Sequence, residues 1–216
     1  MACSHGDNSS FIPINNDESA GSKAEVTEAT KGICLGCNIK NRGNIIDDDL
    51  SNAANLSKVL GVASSEQITV TSMSGGFAAD SGKRYVGFVV ANSKNNLLNL
   101  NLIQGLRVSL LKGGGVVDKQ SNPRLLNLDL LGVVGTHKRY FVGFQTDKDF
   151  DAVRLESRSL VDLGLSGAQL DVYAACVSKP GTEVPDDSDV TDSDSGSNDG
   201  ADSEPDENSS SEAAAS

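Results

Sequence analysis

Apolar and polar residues alternate with a period of two over several short stretches of the chain, which is the pattern of half-buried β-strands. Eight stretches carry it: Ile33–Ile39, Gln67–Met73, Arg84–Val90, Leu106–Leu111, Gly115–Lys119, Lys138–Gln145, Asp151–Glu156 and Gln169–Val177. Turn-forming residues such as Gly75-Gly76 and Asn122-Pro123 separate them. The pattern predicts an all-β fold, namely an antiparallel, jelly-roll-like β-sandwich of about eight strands with disordered tails.

A recurring phrase organises the middle of the chain. Lys-Arg-Tyr followed by Val-Gly-Phe occurs at Lys83–Phe88 and again, with Phe141 added, at Lys138–Phe144. A leucine-rich phrase follows each copy, at residues 97–102 and 160–165, and a third such phrase covers residues 125–132. The recurrence predicts one domain of two similar halves whose central strands pair. Tyr85 and Tyr140 are expected to point into the packing.

Charge is distributed unevenly along the chain, whose net charge is -12. Residues 180–216 hold twelve acidic residues and no Lys or Arg, whereas residues 1–179 hold 18 acidic and 18 basic residues. The composition predicts a disordered acidic tail or linker over 180–216 and a polar, disordered leader over 1–31. The β-sandwich domain is then 32–179. Because that domain is neutral and has no basic run, nucleic acid is not expected as a partner.

The cysteines lie at the two ends of the predicted domain. The first and last strands of β-folds are often neighbours, so we expect Cys37 or Cys34 to form a disulfide with Cys176, unless Cys34 pairs locally with Cys37. Free thiols and a metal site remain alternatives, although zinc would need a fourth ligand and offers only His137. A disulfide implies an oxidising, extracytoplasmic compartment.

The start of the chain, Met1-Ala2-Cys3-Ser4, is similar to the lipid-bearing cysteine and polar tether of a processed bacterial lipoprotein. The alternative is an unmodified Cys3 in a disordered leader. No apolar run approaches the ~18 residues of a transmembrane span. A lipid anchor through Cys3 is therefore the only membrane attachment that the sequence predicts.

An acidic loop is the best candidate site. Asp47 and Asp49 supply carboxylates, and Asn44 and Asn52 supply amide oxygens within a few residues. Calcium takes six to eight such oxygens, so the loop predicts calcium as a cofactor. The spacing is not that of an EF-hand. The alternative is a solvated turn that caps a short helix over residues 51–60.

Catalysis finds little support in the sequence. The chain has two histidines and no nucleophile elbow, phosphate-binding loop or metalloprotease motif. It also has no Trp, so its aromatic residues are expected to pack rather than to stack on sugars. The sequence predicts a protein that is not an enzyme.

Two segments resemble a known family. The run from Cys37 to Ala53, with its Asn-x-Ile-Asp-Asp-Asp-Leu loop, and the closing run from Phe150 to Ala174 resemble a β-sandwich repeat of large Bacteroidetes-type cell-surface proteins. The acidic loop is also similar to the opening loop of discoidin-type, galactose-binding-like sandwiches, in which it often holds structural calcium. Asp48 stands where the repeat usually has Gly, and Asn52 stands where it usually has Thr.

The resemblance implies extracellular or bacterial cell-surface display. The expected function is a non-enzymatic module for adhesion or surface-structure assembly, with a surface protein or a glycan as partner. Two alternatives remain: a carbohydrate-binding module, with or without calcium, and a structural subunit of a surface filament.

Overall fold

The computed structural model describes residue 3 and residues 10–58, 60–79, 82–92, 105–120, 124–127, 139–158 and 168–182. These residues belong to one compact unit, Met1–Thr182. Its strands are β1 (Phe11–Pro13), β2 (Ala24–Leu35), β3 (Asn38–Lys40), β4 (Ala54–Lys58), β5 (Leu60–Ser72), β6 (Arg84–Asn92), β7 (Leu106–Lys112), β8 (Gly115–Gln120), β9 (Arg124–Asn127), β10 (Tyr140–Thr146), β11 (Ala152–Arg158) and β12 (Ala168–Ser178). In the described part of the chain, the one helical element is a 3₁₀-helix, η1 (Arg42–Ile45).

The strands form two antiparallel sheets, which confirms the predicted all-β sandwich. Sheet I has the order β3-β4-β12-β6-β10-β9, and β1 also pairs with β12. Sheet II has the order β2-β5-β11-β7-β8. Their facing side chains make one hydrophobic core, whose fully buried members include Phe88, Val142, Ile68, Leu110 and Leu155.

Most predicted strands are confirmed, usually to within two residues at each end. The structure adds two short strands that the alternation did not predict, β1 and β4, and β9 covers the start of the third leucine phrase. The predicted strand Ile33–Ile39 is divided between β2 and β3. Gly36 has a φ of 69°, which glycine adopts without steric cost, and here the chain passes from sheet II to sheet I.

The recurring phrase forms the paired centre of sheet I, as predicted. Strand β6 pairs with β10 so that Gly87 lies opposite Gly143. A Cβ on Gly87 would overlap the Val142 carbonyl oxygen, and one on Gly143 would lie 2.6 Å from Cε1 of Phe141. Both phrases therefore need glycine because two backbones and one aromatic ring meet there.

The centre of sheet I is buried on both faces. Val86, Phe88 and Val90 join the core, while Tyr85 and Val89, which alternate with them, are also buried. On this outer face Phe11 packs edge to face against Phe141, with ring centroids 5.2 Å apart. The buried positions of Tyr85 and Tyr140 confirm that these residues serve packing.

The predicted disordered leader, residues 1–31, is wrong where the structure describes it. Strand β1 pairs with the end of β12, and Ala24–Lys31 begin β2, which pairs with β5. The polar residues of β2 misled the prediction because β2 is an edge strand whose side chains are largely exposed. The sandwich therefore includes residues 10–31 as well as the predicted 32–179.

The predicted bridge from Cys37 or Cys34 to Cys176 is wrong. Cys176 pairs with Cys3, with Cα atoms 5.8 Å apart, and Cys34 pairs with Cys37. The reason is that β1, rather than β2, lies beside the end of β12 that carries Cys176, so the N-terminal segment reaches this cysteine. Strand β3 approaches β12 only through β4, at the opposite end of β12.

The lipid-anchor interpretation of Cys3 also disagrees with the structure. A lipid thioether and a disulfide require the same sulfur, and in the structure that sulfur is bonded to Cys176. Other predictions lie outside the described residues: the leucine phrases at 97–102 and 160–165, most of the third phrase, and the acidic tail from residue 183 onward.

Candidate functional site

The acidic loop follows η1 and is held by its own hydrogen bonds. Asp47 Oδ1 accepts a hydrogen bond from the Asp49 amide (3.1 Å), and Asp47 Oδ2 accepts one from Asn52 Nδ2 (2.9 Å). Asn44 Nδ2 donates to the Ala53 carbonyl oxygen (3.1 Å). The structure thus brings the four predicted ligand residues together. The oxygens of the Asp47 carboxylate, however, already accept hydrogen bonds from protein donors.

Asp49 shapes the exposed side of this loop. Its Oδ1 accepts hydrogen bonds from both the hydroxyl and the backbone amide of Ser51. These bonds, with a smaller contribution from the Arg139 charge, hold the pKa of Asp49 below its ordinary value. The carboxylate is therefore ionised at neutral pH, and it is fully exposed to solvent.

Arg139 connects the loop to the outer face of sheet I. Its Nη1 donates to the Leu50 carbonyl oxygen at 2.8 Å, and its guanidinium carbon lies 3.8 Å from the centroid of the Tyr173 ring. Arginine over an aromatic face is a favourable cation–π arrangement. The loop after η1, the start of β10 and the middle of β12 therefore belong to one surface.

Beside Tyr173, two rows of polar side chains cross sheet I. Strand pairing sets Lys40 opposite Asn55, and Asn55 opposite Asp171. The neighbouring row consists of Asn38, Ser57 and Gln169. Because the intervening Ile39, Leu56 and Leu170 pack on or in the core, alternation directs both rows outward. We call these six residues the polar ladder.

The polar ladder is rich in hydrogen-bonding groups and low in net charge. Asn55 Nδ2 donates to Asp171 Oδ1 at 2.6 Å, which fixes one amide and one carboxylate on the sheet. Asn38 and Lys40 are exposed, and the other four residues are partly exposed. Donors and acceptors thus stand on a rigid surface at the spacing of adjacent strands, about 4.8 Å.

The sequence located the loop but missed the ladder. The alternative interpretation of the loop, a turn that caps a helix over residues 51–60, is wrong because Ala54–Lys58 form β4. Their alternation of small or apolar residues with Asn55 and Ser57 was the available signal. Residues on β3, β4 and β12 are far apart in the sequence, so only strand pairing brings them together.

The described residues contain no group of three or more His, Cys, Asp or Glu side chains arranged to hold a metal ion. In the same part of the chain, no helix has the length and apolar character needed to cross a bilayer.

Comparisons with known proteins do not identify a family. No family model and no curated protein sequence matches the chain. Among solved structures, a fucose binding module from Streptococcus pneumoniae is similar to 71% of this chain over 90% of its own length, with 11% sequence identity and a TM-score of 0.35. Likeness of this degree carries no argument about function, which must come from the residues of the site.

Proposed function

We propose that the domain is a non-enzymatic glycan-binding module in which the polar ladder and the adjoining Arg139–Tyr173 pair bind a neutral sugar chain. The observation that carries this proposal is the ladder itself. Sugar hydroxyls both donate and accept hydrogen bonds. A surface of three amides, one hydroxyl, one carboxylate and one ammonium group offers both donors and acceptors to them.

The shape of the site also supports a glycan. Ligand-binding positions are most precise when rigid elements hold them, and here each ladder residue lies on a paired strand. The Arg139 guanidinium covers Tyr173 and offers a flat cationic surface beside the ladder. A sugar ring stacked there would meet Asn55 and Asp171 with its hydroxyl groups.

We assign this activity to an adhesive role at a bacterial cell surface or in the secreted space. The two disulfides support an extracytoplasmic location because disulfides persist in oxidising compartments. The resemblance of the opening and closing runs to surface-protein repeats supports the same assignment. A module of this kind would hold its parent protein to glycans or to a glycan-bearing partner.

A glycan array tests the proposal with the full chain. The wild type should bind neutral glycans, and an Asn55→Ala/Asp171→Ala variant should lose that binding while its circular dichroism stays unchanged. Thr27→Ala, an exposed change on β2 of sheet II, is the matched control and should bind as the wild type does. Absence of wild-type binding to every neutral glycan would contradict the proposed function.

Calcium is a separate component of the proposal. Asn52 Oδ1 is buried and has no hydrogen-bond partner, while Nδ2 of the same amide faces Asp47 Oδ2. A half-turn of the amide would direct both oxygens to a common position, which a cation stabilises. Thermal stability should therefore rise on adding calcium, and Asp47→Ala/Asp49→Ala should remove the rise. An unchanged melting curve of the wild type would end the calcium proposal.

Surface-structure assembly is the second candidate function, and one observation favours it. Strand β8 is an edge of sheet II, and Val116 and Val117 on it are 51% and 42% exposed. Exposed apolar edge strands are templates for strand addition by another chain. Light scattering at high protein concentration should then show oligomers that Val117→Lys prevents. A strictly monomeric wild type would exclude this role.

A further inference from the structure

The outer face of sheet II carries a charge pattern that the linear sequence conceals. Val70, Val153 and Leu110 point into the core, so the residues that alternate with them face outward. Five outward residues on the strands of this sheet are basic: Lys31, Arg107, Lys119, Arg154 and Arg158. Two are acidic: Glu25 and Glu156. The described face is thus cationic in a chain whose net charge is -12.

A hydrogen-bonded network orders the centre of this face. Glu156 accepts hydrogen bonds from Arg158 Nε at 3.0 Å and Gln67 Nε2 at 3.3 Å. Burial raises the pKa of Glu156, but the hydrogen bond from Arg158 and the charges of Arg158 and Arg107 outweigh it, so the pKa lies below its ordinary value. Glu156 is therefore an anion that orients the arginines around it.

Arg154 and Lys31 leave positive charge uncompensated. Arg154 Nε donates to Thr69 Oγ1 at 3.0 Å, which directs the guanidinium along the sheet without neutralising it. Within the described residues, neither side chain makes an ion pair. Ser65 and Lys31 are register partners, and Ser65 also pairs with Arg158, so Lys31 lies about 10 Å from Arg158.

We infer that the outer face of sheet II is a second binding site, which takes an anionic polysaccharide with a carboxylate or sulfate group on its sugars. Arg154 and Arg158 are four residues apart on β11, about 13 Å along the strand. The hydroxyl groups of Thr69 and Thr71 lie partly exposed on the same face. Sparse cations with neutral polar groups between them match a polymer whose charges are separated by hydroxyl-bearing rings. Arginine and carboxylate can pair through two hydrogen bonds.

The same features disfavour nucleic acid. Duplex DNA carries one negative charge per ~1.7 Å of its axis, which is far denser than the cations on this face. The described part of the face also offers no exposed aromatic side chain, which single strands use for base stacking. This site is independent of the proposed function, because the two outer faces lie on opposite sides of the sandwich.

Affinity electrophoresis of the full chain tests the inference, with polygalacturonate as the carboxylate probe, dextran sulfate as the sulfate probe and uncharged dextran as the blank. At low salt, at least one anionic polymer should retard the wild type more strongly than uncharged dextran does, because dextran reports only binding to neutral sugars. Lys31→Gln/Arg154→Gln should lower the affinity about tenfold, roughly 1.4 kcal/mol, and high salt should abolish retardation.

Two further variants and one competitor make the result decisive. Lys83→Gln removes an exposed cation just before β6 of sheet I, outside both proposed sites, and should leave retardation unchanged. Arg154→Lys keeps the charge and should retain binding within about twofold, while circular dichroism shows that each variant is folded. The inference is overturned if neither anionic polymer retards the wild type, if Lys83→Gln weakens binding as much as the double variant, or if duplex DNA binds as tightly as the polysaccharides.

Discussion

The outer faces of the two sheets differ in the kind of side chain that they carry. That of sheet I is apolar along its centre, where Phe11 packs on Phe141 and the Cys3–Cys176 bridge attaches the N-terminal segment. Its polar ladder is confined to the β3–β4–β12 side. On the outer face of sheet II, Arg107, Arg154 and Arg158 lie on the neighbouring strands β7 and β11. Packing therefore dominates one face and charge dominates the other.

The difference explains the unequal sequences of the strands. Strands β6 and β10 are buried on both faces and read as nearly continuous apolar runs, as strands covered on both sides do. Along β11 and the second half of β5, apolar side chains of the core alternate with polar ones. Substitutions in the centre of sheet I should therefore cost stability, whereas those on sheet II should change binding with little loss of stability.

The largest expected effect concerns the bridge across sheet I. Cys3 and Cys176 are 173 residues apart, and the chain-entropy model gives such a crosslink about 5 kcal/mol. Cys3→Ala/Cys176→Ala should lower the free energy of unfolding by an amount of this order in urea titrations. The matched variant Cys34→Ala/Cys37→Ala opens a bridge between residues only three apart and should cost about 2 kcal/mol.

Peptide mapping under non-reducing conditions checks the pairing itself. It should find Cys3 linked to Cys176 and Cys34 linked to Cys37. A Cys176 that is alkylated without reduction, or joined to Cys37, would contradict the account of sheet I.

The next effect concerns the glycine pair. Gly87→Ala would drive a methyl group into the Val142 carbonyl oxygen and the Gly143 Cα, which should cost about 3 kcal/mol of unfolding free energy, as overpacking does. Gly43→Ala is the control, since nothing lies within 4 Å of its Cβ position. Equal chemical denaturation midpoints for the two variants would mean that β6 and β10 are not in the described register.

Arg139 joins the acidic loop to sheet I, and its loss should have a smaller effect. Arg139→Gln removes the cation–π contact with Tyr173 and the hydrogen bond to Leu50, so unfolding should become easier by about 1.5 kcal/mol. Arg139→Lys keeps the charge but not the planar group and should fall between. Hydrogen exchange in the loop should be faster in Arg139→Gln. Unchanged exchange in the loop would show that Arg139 does not hold the loop against sheet I.

The smallest effect concerns sheet II and depends on pH. The folded-state pKa of Glu156 is lowered from its ordinary value of 4.5, so the ionised form stabilises the fold above that pH. This stabilisation is lost as pH falls through the folded pKa. Glu156→Gln should cost about 1 kcal/mol at pH 7 and less at pH 3, where the ionised form is lost. A cost that is equal at both pH values would show that charge is not what orders this face.

Sequence patterns predicted the sandwich because each central strand carries its own signal. Val86, Phe88 and Val90 alternate inward and Gly87 recurs at Gly143, so the pairing of β6 and β10 was readable. The short strands could not be predicted, because a strand of three residues such as Phe11–Pro13 is too short to show a periodic pattern. Strand β2 was not predicted because an exposed edge strand has the composition of a linker.

The site was only half predictable, for a related reason. The acidic loop is contiguous, so Asp47 and Asn52 could be found by spacing alone. The polar ladder and the cationic face are assembled by register from distant strands, and Arg154, Lys31 and Arg107 form no basic run in the sequence. The neutral charge of residues 1–179 concealed a face with an excess of cations.

One crossed binding measurement tests the division between the faces most directly. A neutral glycan selected on the array and polygalacturonate or dextran sulfate would each be titrated against the wild type, Asn55→Ala/Asp171→Ala and Lys31→Gln/Arg154→Gln. The account predicts that the first variant loses only the neutral glycan and the second loses affinity only for the anionic polymer. Loss of both ligands in either folded variant would contradict it.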